Sequence, residues 1–143
     1  MKPVLFLRIA SGLTFVHGAL HAVNMIVSKP AQGPPQIAVA AMKANVFPLM
    51  GMTRSYWDFY MGMGLAGGIS LIAEAIVFWQ LSSLARSNPR LVRPMVATFL
   101  VGYLALAVNS CTYFFAPPVI IELLIALFLG LAFIKSKRFE LPR

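Results

Sequence analysis

The chain has 143 residues, of which 59% are hydrophobic and only 11% charged. Soluble domains run about 45–50% apolar and about 25% charged, and a chain this short buries too little of itself to hide the excess, so a soluble enzyme and a disordered chain are both excluded. The balance of twelve Lys/Arg against four Asp/Glu gives a charge of +8, but the basic residues sit at the ends of apolar runs. That distribution points to a membrane rather than to nucleic acid.

A spanning helix needs about 20 mostly apolar residues, and four such runs occur. The first covers about residues 4–27. Met1-Lys2 before it resembles the start of a secretory signal, but the run is longer than a signal core and contains Arg8, His17 and His21, so it is expected to be a retained span. A turn-rich stretch with Lys29-Pro30, Gly33 and Pro34-Pro35 follows. Residues 36–47 then predict a short helix ended by Pro48, with Ile37, Ala40, Ala41 and Ala44 on one side. It is too short to span and is expected to lie in the interface.

The second span covers about 57–84, with Tyr56, Trp57 and Tyr60 at headgroup level. Ser55 is expected to cap it, with Asp58 in the first turn where the helix dipole favours a negative charge. The third covers about 94–115 and the fourth 117–134. Pro94 and the Pro117-Pro118 pair suit first-turn positions. The predicted fold is thus one all-α domain, an integral membrane four-helix bundle with an interfacial helix between the first two spans.

With four spans, both termini share one side. That side holds Lys2, Arg8, Arg86, Arg90, Arg93, Lys135, Lys137, Arg138 and Arg143, and the other holds Lys29, Lys43 and Arg54. The split predicts cytoplasmic termini in a cell inner membrane. The Arg86–Arg93 loop and the basic tail would also touch anionic lipid.

Polar and small residues are expected to turn into the bundle. They form one stripe per span. The first is Thr14, His17, His21, Asn24 and Ser28. The second is Tyr56, Tyr60, Met63, Gly67, Ser70 and Glu74, with the pair Gly64 and Gly68 beside it. The third is Thr98, Gly102, Ala105, Asn109 and Thr112, and the fourth is Glu122, Ala126 and Gly130. At 1.5 Å per residue, His21 lies about 6 Å beyond His17 toward the far side, in the same half as Asp58, Asn109 and Glu122.

His17 and His21, four residues apart, share a helical face and have a spacing able to hold one metal. The alternative is two neutral imidazoles hydrogen-bonded inside the bundle, and this is the reading adopted: no metal and no haem. Carboxylates in hydrocarbon are costly, and a functional role is their default reading. Glu74 is expected to pair with Arg8 at matched depth. Glu122 is expected to meet His21 in a pocket that also draws on His17, Trp57, Asp58 and Asn109. A metal or covalent cofactor is not expected, whereas a bound lipid or quinone suits such a pocket. Cys111 and the methionines read as packing.

The string Met52–Tyr60 (MTRSYWDFY), followed by Gly62-Met-Gly64-Leu and preceded by a first helix with Gly18 and His21, resembles small four-helix bacterial membrane proteins, DoxX-like in size and layout. The resemblance implies a bacterial inner-membrane protein and carries no reaction with it.

Three functions compete. The favoured one is a non-catalytic accessory subunit or binder of an apolar ligand, with the bilayer and, through the Gly64/Gly68 face, a second copy or another membrane protein as partners. The second is an intramembrane acid–base enzyme that uses His21 and Glu122 on a lipid-like substrate. The third is ion or proton transport along His21, His17 and Glu74.

Overall fold

The computed structural model describes residues 3–137. In chain order its elements are α1 (Pro3–Val27), α2 (Pro34–Ala44), β1 (Val46–Leu49), β2 (Met52–Ser55), α3 (Tyr56–Ser87), α4 (Pro89–Tyr113) and α5 (Ala116–Lys137). Helices α1, α3, α4 and α5 are each long and apolar enough to cross a membrane. The chain is an all-α multi-pass membrane protein with a short helix between its first two spans. Of the residues behind the charge count, Lys2, Arg138 and Arg143 lie outside the described residues.

The chain divides into two compact units. In the first, residues 3–17 of α1 and 71–87 of α3 join α4 and α5 as four packed helix segments. Its core holds Leu7, Ala10, Phe78, Val92, Val96, Tyr103, Ile125, Leu129 and Ala132. Ala10, Ala75, Ala85, Ala107, Ala126 and Ala132 are all buried, whereas Val101, Val108, Leu127 and Ile134 are exposed. The buried alanines let the helix backbones approach closely, and the exposed aliphatics suit a bilayer, because lipid tails solvate leucine as well as a protein core does.

The second unit is Gly18–Ser70. Here the end of α1 lies against the start of α3, with Ala22 facing Gly68 and Met25 facing Gly64. The face that the sequence offered to a second copy is therefore filled within the chain. Every residue of α2 is at least partly exposed, as suits an interfacial helix. Asn45 ends it, its backbone N–H and side-chain amide both donating to the Ala41 carbonyl.

Two boundaries differ from the sequence reading. The expected helix over 36–47 begins at Pro34, closer to the turn, and stops at Ala44. Residues 46–49 pair instead with 52–55 as an antiparallel hairpin, Val46 opposite Ser55 and Leu49 opposite Met52. Its two-residue turn, Met50-Gly51, has φ of 50° and 82°. Two positive φ values match the right-handed twist of a tight hairpin. The third span begins at Pro89, not Pro94. Asn88, restricted by the proline after it, stays out of the helical region at φ −140° and ψ 68°. Pro94 thus falls inside α4, where fully buried Val92 and Val96 anchor the turns on either side of it.

Candidate functional site

In the four-helix unit, the buried face of α4 runs through Val92, Val96, Tyr103, Ala107 and Ser110. It carries two hydroxyls seven residues apart, hence two turns apart on one side of the helix. Each meets a carboxylate from another helix. The Tyr103 hydroxyl donates to Glu74 Oε2 at 2.8 Å and lies 3.4 Å from Thr14 Oγ1. The Ser110 hydroxyl donates to Glu122 Oε1 at 3.0 Å.

These contacts redraw several expectations. Asn109, expected to face inward, is exposed, and its neighbour Ser110 takes the buried position. On α3, Tyr56, Tyr60 and Met63 are 51–74% exposed; the buried positions in the first unit are Ala75, Phe78, Leu81, Ser82 and Ala85. The Arg8–Glu74 ion pair is not found among the described residues. Glu74 receives Tyr103, and the Arg8 guanidinium lies 4.8 Å from the centre of the Trp79 ring. A neutral hydroxyl satisfies the carboxylate, and an aromatic face meets the cation.

Glu122 is 5% exposed, and its second oxygen, Oε2, is buried with no hydrogen-bond partner. One turn back along α5, Val119 lines a cleft of about 300 Å³ at the α4–α5 turn, together with Ser110, Cys111, Phe114, Phe115, Ala116 and Ile120. The turn is short because Phe114 closes α4, its N–H donating to the Ser110 carbonyl, and Ala116 already opens α5. Ser110 thus belongs to both features: it lines an apolar cleft and holds the carboxylate next to it. Sequence reasoning found Glu122 but missed Ser110 and Tyr103, since a lone serine or tyrosine in an apolar helix carries no periodic signal.

In the Gly18–Ser70 unit, His21 Nε2 lies 2.9 Å from the Gly64 carbonyl oxygen. A carbonyl only accepts, so Nε2 carries the proton. Asn24 is exposed, next to Ser28, whose hydroxyl donates to it; His17, which belongs to the four-helix unit, is half-buried. Trp57 stacks on Tyr60 at 5.3 Å, and Lys43 Nζ from α2 lies 4.9 Å from the Trp57 ring centre. Asp58 takes part in a reciprocal cap. It accepts from the Ser55 N–H at 2.7 Å and the Ser55 hydroxyl at 2.9 Å, while the Asp58 N–H donates to Ser55 Oγ at 3.2 Å. This is a capping box with aspartate in place of the usual Glu/Gln. Ser55 and Asp58 therefore fix the start of α3. In neither unit, among the described residues, do three His, Cys, Asp or Glu side chains gather as metal ligands.

No family model, curated protein or solved structure matches the chain.

Proposed function

We propose that this protein is a non-catalytic binder of an apolar ligand with a polar head, a lipid or a quinone, and serves as a small accessory component of a bacterial inner membrane with both termini cytoplasmic. The observation that carries the reading is the cleft at the α4–α5 turn, with Ser110 in its wall and Glu122 beside it. Phe114, Phe115, Val119 and Ile120 offer an apolar tail a surface, and Ser110, whose hydroxyl hydrogen is held by Glu122, offers a head group the acceptor lone pairs of its oxygen. A mostly apolar concavity with a few convergent polar groups is the usual form of a ligand site between bundle helices. Non-catalytic binding is favoured over acid–base chemistry because His21 is engaged with a backbone carbonyl and Glu122 with Ser110. A DoxX-like layout is compatible with this role.

Cys111, the chain's one cysteine, is exposed and lines the cleft. A short-tailed benzoquinone and a lysophospholipid, each added to the detergent-solubilised protein, should be compared for protection of Cys111 from maleimide. One of them is expected to slow labelling about tenfold, and Val119→Trp, which fills the cleft, should abolish that protection. Labelling rates unchanged by both probes would overturn the reading.

Orientation has its own test. In a Cys111→Ser background, cysteines at positions 29 and 90 should label from opposite faces of sealed spheroplasts, position 29 from outside. Labelling of both from one face would overturn the four-span topology.

A further inference from the structure

At one end of the four-helix unit, α1 and α4 begin and α3 and α5 finish. Arg8 stands five residues into α1 and Arg93 four residues into α4. Both therefore lie about 6–8 Å from the helix starts, near the boundary between headgroups and hydrocarbon. The two are built alike. Arg8 lies over Trp79 of α3 at 4.8 Å, and Arg93 lies over Phe133 of α5 at 4.2 Å. Each is half-buried, and the Nε of each is buried with no hydrogen-bond partner. Among the described residues neither has a carboxylate partner. The unit's described carboxylates, Glu74 and Glu122, are held by Tyr103 and Ser110.

A guanidinium is always charged and offers five N–H donors. With its Nε buried and unpartnered, each cation has lost part of its hydration, and a ring face offsets only part of that cost. Arg86, Arg90 and Lys135 add positive charge at the same end. What Arg8 and Arg93 lack among the described residues is an anion whose paired oxygen acceptors match a planar guanidinium fork, which a phosphate supplies. The surface beside them is apolar: Leu5 and Trp79 are exposed near Arg8, and Leu91 and Met95 near Arg93. A free phosphate gains nothing from such a surface, whereas a phospholipid places its acyl chains there.

We propose that Arg8 with Trp79, and Arg93 with Phe133, form two headgroup clamps for anionic phospholipid at this end of the bundle. They are separate from the cleft at the α4–α5 turn, which lies at the other end of the same helices. The guanidinium holds the phosphodiester, the ring keeps the guanidinium in place, and the surrounding arginines and lysine select a lipid of net negative charge.

The test is native mass spectrometry of the full chain released from mixed phosphatidylglycerol and phosphatidylcholine nanodiscs. Phosphatidylglycerol should be retained in preference, and excess inorganic phosphate should not displace it. R8Q and R93Q should each weaken retention about fivefold. The control R86Q/R90Q removes two exposed charges from the same end and should cost less than R8Q/R93Q. Equal retention of the two lipids, displacement by inorganic phosphate, or equal losses in R86Q/R90Q and R8Q/R93Q would each overturn the proposal. Should R8Q fail to fold, R93Q alone decides by the same criteria.

Discussion

Replacing Gly68 with leucine is expected to destabilise the Gly18–Ser70 unit by about 1–3 kcal/mol or more, whereas Gly64→Ala should cost far less. Both glycines face α1, but different neighbours meet them. A Cβ at Gly68 would stand 3.0 Å from Ala22 Cβ and 3.4 Å from the Ala22 Cα and backbone nitrogen. Carbon atoms prefer separations of about 3.5–4.0 Å, and Ala22 has no rotatable bond with which to yield. The helix backbone itself must move, and every larger side chain moves it further. At Gly64 the obstacle is the Met25 thioether, with its sulfur 2.8 Å away. Methionine has three rotatable bonds and adapts to changed space. The helical preference for alanine over glycine, roughly 1 kcal/mol, offsets part of that repacking. Unfolding in mixed detergent micelles followed by circular dichroism measures both changes. The His21 ring resonances should also shift in Gly68→Leu, because separating the helices stretches the bond to the Gly64 carbonyl. A Gly68→Leu protein as stable as the parent would mean that α1 and α3 do not meet at this position.

The two glycines also show what kind of information this sequence carries. Two small residues four apart identify a face where helices approach closely, and that face is used. The pattern is silent on which helix approaches, so a second copy and the chain's own α1 were equally compatible with it. Span positions were legible because about 20 apolar residues in a row suit a bilayer and little else. The inward faces were legible only in part. On α1 and α5, Thr14, His17 and Glu122 are polar groups that hydrocarbon excludes, and they marked the buried side. On α4, small and polar residues sit on several faces, and lipid tails accept an aliphatic side chain as readily as the core does. The expected stripe therefore fell one position away, on Asn109 instead of Ser110. The hairpin left even less trace. Val46-Phe47-Pro48-Leu49 contains a proline that a central strand would reject, and Met50-Gly51 lacks the Asn or Asp that usually announces a tight turn. In a two-stranded ribbon both strands are edges, so Pro48 opposite Thr53 is tolerated.

Tyr103 is the residue whose loss should cost most. It is 1% exposed, and its ring lies 6.0 Å from that of Phe78, which in turn meets Phe99 edge-on at 4.9 Å. Tyr103→Ala would open a ring-sized cavity among α3, α4 and α1, and truncating a buried aromatic costs about 3–5 kcal/mol. Tyr103→Phe separates the hydroxyl from the ring. The phenol has one hydrogen, which the Glu74 carboxylate takes, so the 3.4 Å contact with Thr14 is completed by the Thr14 hydroxyl donating to the phenol oxygen. Removing that oxygen leaves both Glu74 and Thr14 short of a partner. In a water-soluble core the expected cost would be about 1–3 kcal/mol. Interhelical bonds measured in membranes average about 0.6 kcal/mol, because the unfolded chain in lipid also finds partners. The expected cost is therefore about 1 kcal/mol, well below that of Tyr103→Ala. Adding Glu74→Leu to Tyr103→Phe should recover part of it, since a shape-matched apolar pair leaves no carboxylate unpaired. Thermal unfolding of the four proteins in one detergent gives the coupling directly. If the double variant loses as much as the two single changes together, the hydroxyl and the carboxylate act independently, and the stability of this core rests on the aromatic ring alone.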